Sequence, residues 1–372
     1  MTNKKFWWAT FTLSGTMIGA GILGLPYIFA KSGFLAGVFW LIFLGTIVIF
    51  VNLCMGEITL RTKENRQLTG HAKKHLGPIA GNIMFIALIF GIYSALLAYL
   101  IGEGESLSRL LPGDINPIFL GIGFWLIMTF ILKEGLRALK KAETYGVIAI
   151  ILIILGMFIK FLPRIESTNL LIINRPDFVL PIGVVFFALL GFTSIPILRK
   201  EIKGKEKYLK KAIILGSTIP IILYIIFSAV FVGVLGIDVT EVATLSFGPF
   251  ITILGIFTML TSYIALSFAL KDTFKEDLKL SPKINFLLTS LIPLIAYLLI
   301  SKWGLLSFTK ILGIGGVVSG GLTGIIILLT CKKSKKTTRN KKDPEIKMPL
   351  NWALILILSI IFISGIIIEL MS

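Results

Sequence analysis

Cysteine and histidine are nearly absent from this chain, which has two of each in 372 residues. Cys54 lies in an apolar run and Cys331 at the end of another, so there is no zinc-type spacing and both are expected to be inert thiols. His71 and His75 are four residues apart, a spacing that can bind a metal on a helix, but no carboxylate accompanies them. The sequence therefore predicts no metal centre from these residues, and it offers no nucleophile–histidine pair for an enzyme.

Charged residues are also scarce, at 15% of the chain, whereas a soluble domain has about 25%. Hydrophobic residues make up 56% and come in long blocks, which is typical of a protein that crosses a bilayer many times. The 37 basic residues outnumber the 19 acidic ones and give a net charge of +18. Because the basic residues fall in short loops between apolar runs, we expect a lipid bilayer, and not nucleic acid, as the partner.

An apolar window of about twenty residues is needed to cross a bilayer. The chain contains eleven such windows, of which the fourth and ninth are short: 6–30, 34–58, 79–102, 116–132, 143–162, 178–198, 212–236, 249–270, 285–301, 305–330 and 350–369. When the loops are assigned alternately to two sides, thirty of the 37 lysines and arginines fall on the side of the N-terminus and six on the other. This asymmetry predicts a cytoplasmic N-terminus and, after an odd number of spans, an extracellular C-terminus. We expect the plasma membrane as the location, although the asymmetry itself does not specify it.

Two of the predicted spans carry residues that disfavour helix in their middle. Span one contains "GTMIGAGILGLPYIF" at 15–29, in which four glycines precede Pro26, and span six has Gly191 followed by Pro196. Each of these spans leads a group of five, which indicates two inverted repeats with a binding site at helix breaks near mid-membrane. Unwound backbone there can bind a carboxylate through amides and a cation through carbonyls. The glycines of span ten, at 313–324, are interpreted as close packing or a hinge.

The sequence around these breaks resembles a known group of proteins. "GTMIGAGILGLPYIFAKSGF" at 15–34 closely resembles the first helix of the amino-acid/polyamine/organocation superfamily, most of all its amino-acid/auxin permease branch and the bacterial tyrosine/tryptophan permeases. "FFALLGFTSIP" at 186–196 resembles the sixth helix of that group. The resemblance implies an all-α, LeuT-type fold of 5+5 inverted repeats plus one extra helix. The implied ten-helix core covers 1–330, with repeats at about 6–162 and 178–330. A basic cytoplasmic loop at 331–349 and an additional transmembrane helix at 350–372 follow it.

The same resemblance implies a substrate site at the two breaks. The Gly19–Ala20–Gly21 triplet matches the unwound segment whose amides receive the substrate carboxylate. Phe186 matches an aromatic lid over the substrate, and Gly191 matches the break of helix six. Helix three of relatives often supplies a tyrosine, for which Tyr93 and Tyr99 are both candidates. The complete set of expected contacts is Thr16, Ile18, Gly19, Ala20, Gly21, Tyr93, Tyr99, Phe186, Phe187, Ala188, Leu190 and Gly191.

Transport against a gradient needs an energy source, and no nucleotide-binding motif is present. We therefore expect coupling to a sodium or proton gradient and no other cofactor. In sodium-coupled relatives one ion lies between helices one and eight, and the resemblance places at that site Gly15, Ile18, Thr258, Thr261 and Ser262. Such oxygen ligands suit sodium. Some proton-coupled relatives place a lysine of helix five where that sodium would lie. The middle of span five contains no lysine here, which favours sodium. The resemblance to tyrosine/tryptophan permeases, which are regarded as proton-coupled, favours the proton instead.

The few charged residues inside the spans bear on the substrate. Glu57, Glu143 and Lys310 are expected close to span ends, and Glu103 and Glu105 in an outer vestibule. With no acid expected in the pocket, the predicted substrate is a neutral amino acid, because a cationic side chain would need a carboxylate partner.

The leading interpretation is a secondary active transporter of neutral amino acids, with aromatic and branched ones among the candidates, and not an enzyme. A transporter of a related amine, auxin-like acid or nucleobase is a second interpretation. A third is an amino-acid-sensing membrane receptor with the 331–349 loop as its output. The sequence carries no signal for an oligomeric state.

Overall fold

The computed structural model describes residues 2–62, 66–134, 139–172, 176–276, 278–337 and 344–371. The regular structure in these ranges is helical, with short 3-10 segments between several α-helices. The α-helices, in chain order, are α1 (Thr2–Met17), α2 (Gly21–Ser32), α3 (Phe34–Arg61), α4 (Leu68–Leu76), α5 (Pro78–Leu110), α6 (Pro117–Glu134), α7 (Leu139–Phe161), α8 (Ser167–Leu171), α9 (Pro181–Ala188), α10 (Ile195–Glu201), α11 (Leu209–Leu235), α12 (Pro249–Glu276), α13 (Pro282–Trp303), α14 (Phe308–Gly315), α15 (Gly321–Thr337) and α16 (Trp352–Met371).

The predicted spans coincide with these helices. Within the described ranges, nine helical stretches are long and apolar enough to cross a bilayer, counting α9 with α10 and α14 with α15 as single stretches. The pair α1 and α2, bent by 56°, forms a tenth, and α6 is a shorter apolar helix that corresponds to the short fourth window. The all-α, multi-span prediction is confirmed. We call the end of the bundle that carries the start of α1 the basic end.

Span ten is built for close approach of other helices. It consists of α14, a π-helical turn at Gly316–Gly320 and α15. A Cβ added at Gly313 would clash with Glu369 Oε1 of α16, so the glycine lets that carboxylate approach span ten closely. Lys310 Nζ lies 3.5 Å from the same Oε1. The last span is therefore held against span ten by glycine packing and by an ion pair, and Lys310 has a structural partner.

The segment predicted to be a basic cytoplasmic loop at 331–349 is partly packed into the bundle. Helix α15 continues to Thr337, and Cys331 is completely buried. Residues 338–343 lie outside the described part of the chain. Beyond them the chain has no regular structure before α16, yet Ile346, Met348 and Leu350 are buried. The described parts of this segment therefore alternate between packed and exposed residues.

Glu57, at the basic end of α3, holds that segment in place. Its buried carboxylate lies 2.8 Å from Arg61 and 3.5 Å from Lys335. It also accepts a hydrogen bond from the Met348 amide at 2.8 Å. Through these contacts Glu57 links span two, span ten and the chain that leads to α16. The side chain of Glu143 lies outside the described residues.

Candidate functional site

Span one is broken at the glycine-rich triplet. Helix α1 ends at Met17 and α2 begins at Gly21. The Gly19 amide donates to the Met17 carbonyl at 2.9 Å, two residues back and not four, which interrupts the helical ladder. The Ala20 amide donates instead to the Tyr99 hydroxyl at 3.4 Å. The poor helix propensity of the Gly–Ala–Gly sequence is thus realised as an actual break in the middle of the span.

Span six is interrupted at the corresponding place. Helix α9 ends at Ala188 and α10 begins at Ile195, with a 3-10 turn, Phe192–Ser194, between them. Gly191 has φ −141° and ψ 1°, outside the helical region. A Cβ added at Gly191 would lie 3.0 Å from the Met17 Cγ atom. The interruption therefore packs directly on the end of α1.

The two breaks are in direct contact, and a tyrosine of span seven links them. A Cβ added at Gly21 would lie 2.5 Å from the Ala188 Cα atom, so the two backbones touch. The Tyr224 hydroxyl lies 2.6 Å from the Met17 carbonyl oxygen and 2.9 Å from that of Ala188. Tyr224 is completely buried. Sequence reasoning missed this residue; its only signal is a lone tyrosine in the apolar run 219–227.

The structure distinguishes the two tyrosine candidates of span three. The Tyr99 hydroxyl reaches the break, where it accepts from the Ala20 amide and lies 3.0 Å from a Cβ added at Gly19. The Tyr93 hydroxyl instead donates to the Leu288 carbonyl of α13 at 3.1 Å. Tyr99 is therefore the tyrosine placed at the candidate site, and Tyr93 is not.

The helix ends give this site two electrostatic poles. Helix α2 starts at Gly21 and presents its positive N-terminal end to the break. Helices α1 and α9 end at Met17 and Ala188, so their carbonyl ends meet beside Tyr224. Amides and a tyrosine hydroxyl on one side suit an anion, and carbonyls on the other suit a cation. The arrangement can hold a small zwitterion.

Three aromatic and aliphatic side chains of span six pack against spans ten and eleven. The Phe186 ring is 1% exposed and packs edge-on against Phe362 of α16, with ring centroids 5.5 Å apart. Phe187 and Leu190 lie against the glycine-rich part of span ten: Phe187 Cδ2 is 3.8 Å from a Cβ added at Gly315, and Leu190 Cδ2 is 2.7 Å from one added at Gly320. A lid role for Phe186 does not fit this placement, because span eleven already covers its ring.

The residues expected to bind sodium are only partly brought together. The Thr258 hydroxyl donates to the Leu254 carbonyl at 2.9 Å, and the Thr261 hydroxyl to Phe257 at 2.9 Å, both within α12. The Ser262 side chain, in contrast, lies beside the break in span one, because its Oγ is 3.7 Å from a Cβ added at Gly19.

On the span-one side of the expected sodium site, Gly15 packs on Val147 of α7. A Cβ added at Gly15 would lie 2.5 Å from Val147 Cγ2. Ile18 is buried and its amide donates to the Ser14 carbonyl at 2.9 Å. The Thr16 hydroxyl donates within α1 to Thr12 at 2.8 Å. Across the described ranges, no three histidine, cysteine or acidic side chains form a metal-binding group.

A cavity of about 910 Å³ opens at the end of the bundle opposite the basic end. Charged, aromatic and hydroxyl side chains line it, among them Glu105, Arg109, Asp114, Glu241, Tyr297, Ser301 and Phe308. Glu105 therefore lies in a vestibule, as predicted. Glu103 does not: it is 0% exposed, one turn along α5 from Tyr99. The expectation that no buried acid lies close to the site is wrong.

With this geometry established, comparison with known proteins identifies the class. The structure resembles the crystal structure of MhsT in complex with L-phenylalanine with a TM-score of 0.66, covering 98% of this chain and 97% of that one at 17% sequence identity. That similarity shows the fold, and the chain is a multi-pass membrane protein of LeuT-type fold. The chain belongs to the tryptophan/tyrosine permease family, whose sequence model matches residues 2–246.

Named relatives are also transport proteins. Tyrosine-specific transport system 1 of Haemophilus influenzae is 28% identical over 224 residues, which span 59% of this chain and 55% of that protein. Glutamine transporter 2 of Aliivibrio fischeri is 23% identical over 366 residues, spanning 92% of this chain and 91% of that protein. The relatives are named as transporters and not as enzymes, in agreement with the absence of catalytic motifs from the sequence.

Proposed function

We propose that this protein is a secondary active transporter of a neutral amino acid, driven by an ion gradient and working by alternating access. The observation that carries the proposal is the contact between two interrupted helices, joined by Tyr224 and flanked by Tyr99. Broken helices that meet in mid-bundle are the arrangement by which transporters of this architecture expose backbone groups to a substrate. The names of the relatives, tyrosine and glutamine transporters, support an amino acid as the cargo.

The two poles of the site assign roles in substrate binding. The substrate carboxylate would bind the amides of the 19–21 triplet with the Tyr99 hydroxyl. The substrate ammonium would bind the carbonyls of Met17 and Ala188. The Ala188 oxygen retains a second lone pair beside its bond to Tyr224, whereas the Met17 oxygen already accepts from Tyr224 and Gly19 and would exchange the Gly19 bond for the ammonium. Ile18 and Gly191, buried at the two breaks, would form the adjacent wall. The side chains at the breaks themselves are uncharged, and the nearest acid, Glu103, is enclosed one turn further along α5, so we favour a neutral substrate, with aromatic amino acids as the first candidates.

The distribution of basic residues supports an N-terminus in the cytoplasm and a C-terminus outside. We propose the plasma membrane as the location.

The coupling ion has two candidates. Sodium at the expected set would require Thr258 and Thr261 to bind it while their hydroxyls donate within α12. A proton is the competing candidate, since α5 carries a buried carboxyl.

Uptake into proteoliposomes tests the proposal. The full-length chain would be reconstituted, and each of the twenty labelled amino acids supplied with a sodium gradient, a proton gradient or neither. We expect concentrative uptake of at least one neutral amino acid under one gradient. Tyr99→Phe should weaken that uptake, because Ala20 loses its acceptor, whereas the matched control Tyr93→Phe should not. Binding of an amino acid without flux under every gradient would contradict transport and favour the receptor.

A further inference from the structure

Glu103 is a buried acid for which the described part of the chain provides no neutralising partner. Its relative exposure is 0%, and among the described residues neither carboxylate oxygen has a hydrogen-bond partner, nor does the hydroxyl of Ser106 three residues further along α5. The glycines on either side of it are tightly packed: a Cβ at Gly102 would lie 2.7 Å from Met259 Sδ, and one at Gly104 2.5 Å from the Pro117 carbonyl oxygen. The helix is therefore closely packed on both sides of Glu103, whose own side chain is completely buried.

Titratable groups of the surrounding helices are engaged elsewhere. Tyr263 of α12 packs on Tyr99, with ring centroids 6.5 Å apart. The Tyr297 hydroxyl of α13 donates to a span-four carbonyl at 3.2 Å. Lys310 of α14 pairs with Glu369 of α16. None of these groups bonds to Glu103, which leaves its charge without compensation from the helices packed on α5.

Other charged residues near α5 lie at its two ends. Glu105 and Arg109, on α5 itself, line the outer cavity, as do Asp114 and Glu241 of the neighbouring loops. On α13, Lys302 lies at the same end, over the Trp303 ring. The remaining charged or histidine side chains that the structure describes on helices packed against α5 are at or towards the basic end: His71, Lys73, Lys74, His75, Lys133, Lys271, Asp272, Lys275, Lys283, Lys332, Lys333 and Lys335.

An ionised carboxylate in such surroundings is strongly disfavoured, because it gives up its hydration for no partner. The neutral, protonated acid is the form that this conformation accommodates. Ionisation would require a different conformation, one that admits water to Glu103. A group that is neutral when enclosed and ionises when opened to water is suited to carrying a proton between two conformations.

We infer that Glu103 is the proton-binding carboxyl of this transporter, an inference that rests on the proposed function. Its carboxylate takes one proton from water of the outer cavity when the bundle is open on that side. The neutral acid is enclosed during the conformational change and releases that proton to water at the basic end. Glu103 lies four residues after Tyr99, on the same face of α5 and about 6 Å along its axis. Movements that close the substrate site around Tyr99 therefore also enclose Glu103.

Uptake by Glu103→Gln, in proteoliposomes loaded as above, tests this inference. Glutamine resembles the protonated acid but cannot release a proton. With the labelled amino acid that the wild-type chain accumulates, we expect accumulation driven by a proton gradient to fall by about tenfold or more. Exchange of internal for external amino acid, which needs no net proton movement, should persist. The matched control is Glu105→Gln, a carboxylate two residues away in the vestibule, which should retain the proton-driven accumulation.

The outcomes distinguish a failure of the inference about Glu103 from a failure of the proposed function. Proton-driven accumulation that survives in Glu103→Gln would overturn the inference, as would a wild-type chain that responds to sodium and ignores the proton gradient. A wild-type chain that neither exchanges nor accumulates any amino acid would instead refute the proposed function. If Glu103→Gln does not fold, Glu103→Asp retains a carboxyl and should retain coupling. Infrared difference spectra of the wild type should then show a protonated carboxylic acid band that shifts in Glu103→Asp, and absence of that band would contradict the inference.

Discussion

Removing a single oxygen atom from span seven should disable the candidate site. Tyr224→Phe deletes the hydroxyl that lies 2.6 Å from the Met17 carbonyl and 2.9 Å from the Ala188 carbonyl. The phenyl ring still fills the same buried space, so the substitution leaves packing almost unchanged. What it removes is the link between the carbonyl ends of α1 and α9.

The size of the effect follows from the burial of these groups. The hydroxyl has one proton, which the two carbonyls share, and no water replaces it because Tyr224 is completely buried. The Met17 carbonyl keeps the Gly19 amide as a donor, so the loss falls on the Ala188 carbonyl, and leaving one buried acceptor without its donor costs about 1–3 kcal/mol. Since about 1.4 kcal/mol corresponds to a tenfold change in an equilibrium constant, substrate affinity should fall by about 5- to 150-fold if the link pre-organises the site.

Equilibrium binding of the labelled amino acid to purified protein measures this effect. The control is Tyr93→Phe, which removes a span-three hydroxyl that donates to the Leu288 carbonyl at 3.1 Å, away from the breaks. We expect that control to change affinity by no more than about twofold. If Tyr224→Phe also stays within that range while folding normally, the link between the breaks has no role in substrate binding.

Three further predictions concern packing, ion pairing and pH. Gly21→Ala should abolish substrate binding because its Cβ would lie 2.5 Å from the span-six backbone, whereas Gly123→Ala, where an added Cβ meets nothing within 4 Å, should bind normally. Glu57→Gln should lower the free energy of unfolding by about 3–5 kcal/mol, because Arg61 and Lys335 lose their buried partner. An unchanged melting temperature would contradict this. Burial, followed by the charges of neighbouring basic groups, lowers the pKa of His71 to about 3 from its usual 6.5, so the unfolded chain binds a proton that the folded chain excludes. Stability should therefore fall as the pH drops below about 6.5, by up to about 1.4 kcal/mol per unit, and His71→Gln should flatten that profile in melting curves.

The positions of the breaks could be predicted because their cause is local. Glycine and proline act on the backbone of their own turn, so the interruptions before Gly21 and at Gly191 could be predicted from these residues, their matching places in spans one and six, and the resemblance of both motifs to known helices. The apolar windows likewise predicted the spans, since their length is dictated by the bilayer. Neither inference requires knowledge of which helix lies beside which.

The remaining features depend on contacts between distant helices, and there the sequence was insufficient. Phe186 matches a lid by motif, but span eleven lies against the face that its ring occupies. Thr258 and Thr261 carry hydroxyls at suitable spacing, yet each donates to the backbone of its own helix, as such residues commonly do. Tyr224 and Glu103 gain their importance only from the helices packed around them, which no local pattern reveals.

A structure of the protein with its transported amino acid bound, determined by electron cryomicroscopy in lipid nanodiscs, would test the central claim most directly. We expect the ligand between the two breaks, with its carboxylate within hydrogen-bonding distance of the 19–21 amides and the Tyr99 hydroxyl, and its ammonium at the Met17 and Ala188 carbonyls. An amino acid found only in the outer cavity, with spans one and six continuous and empty between them, would contradict the account.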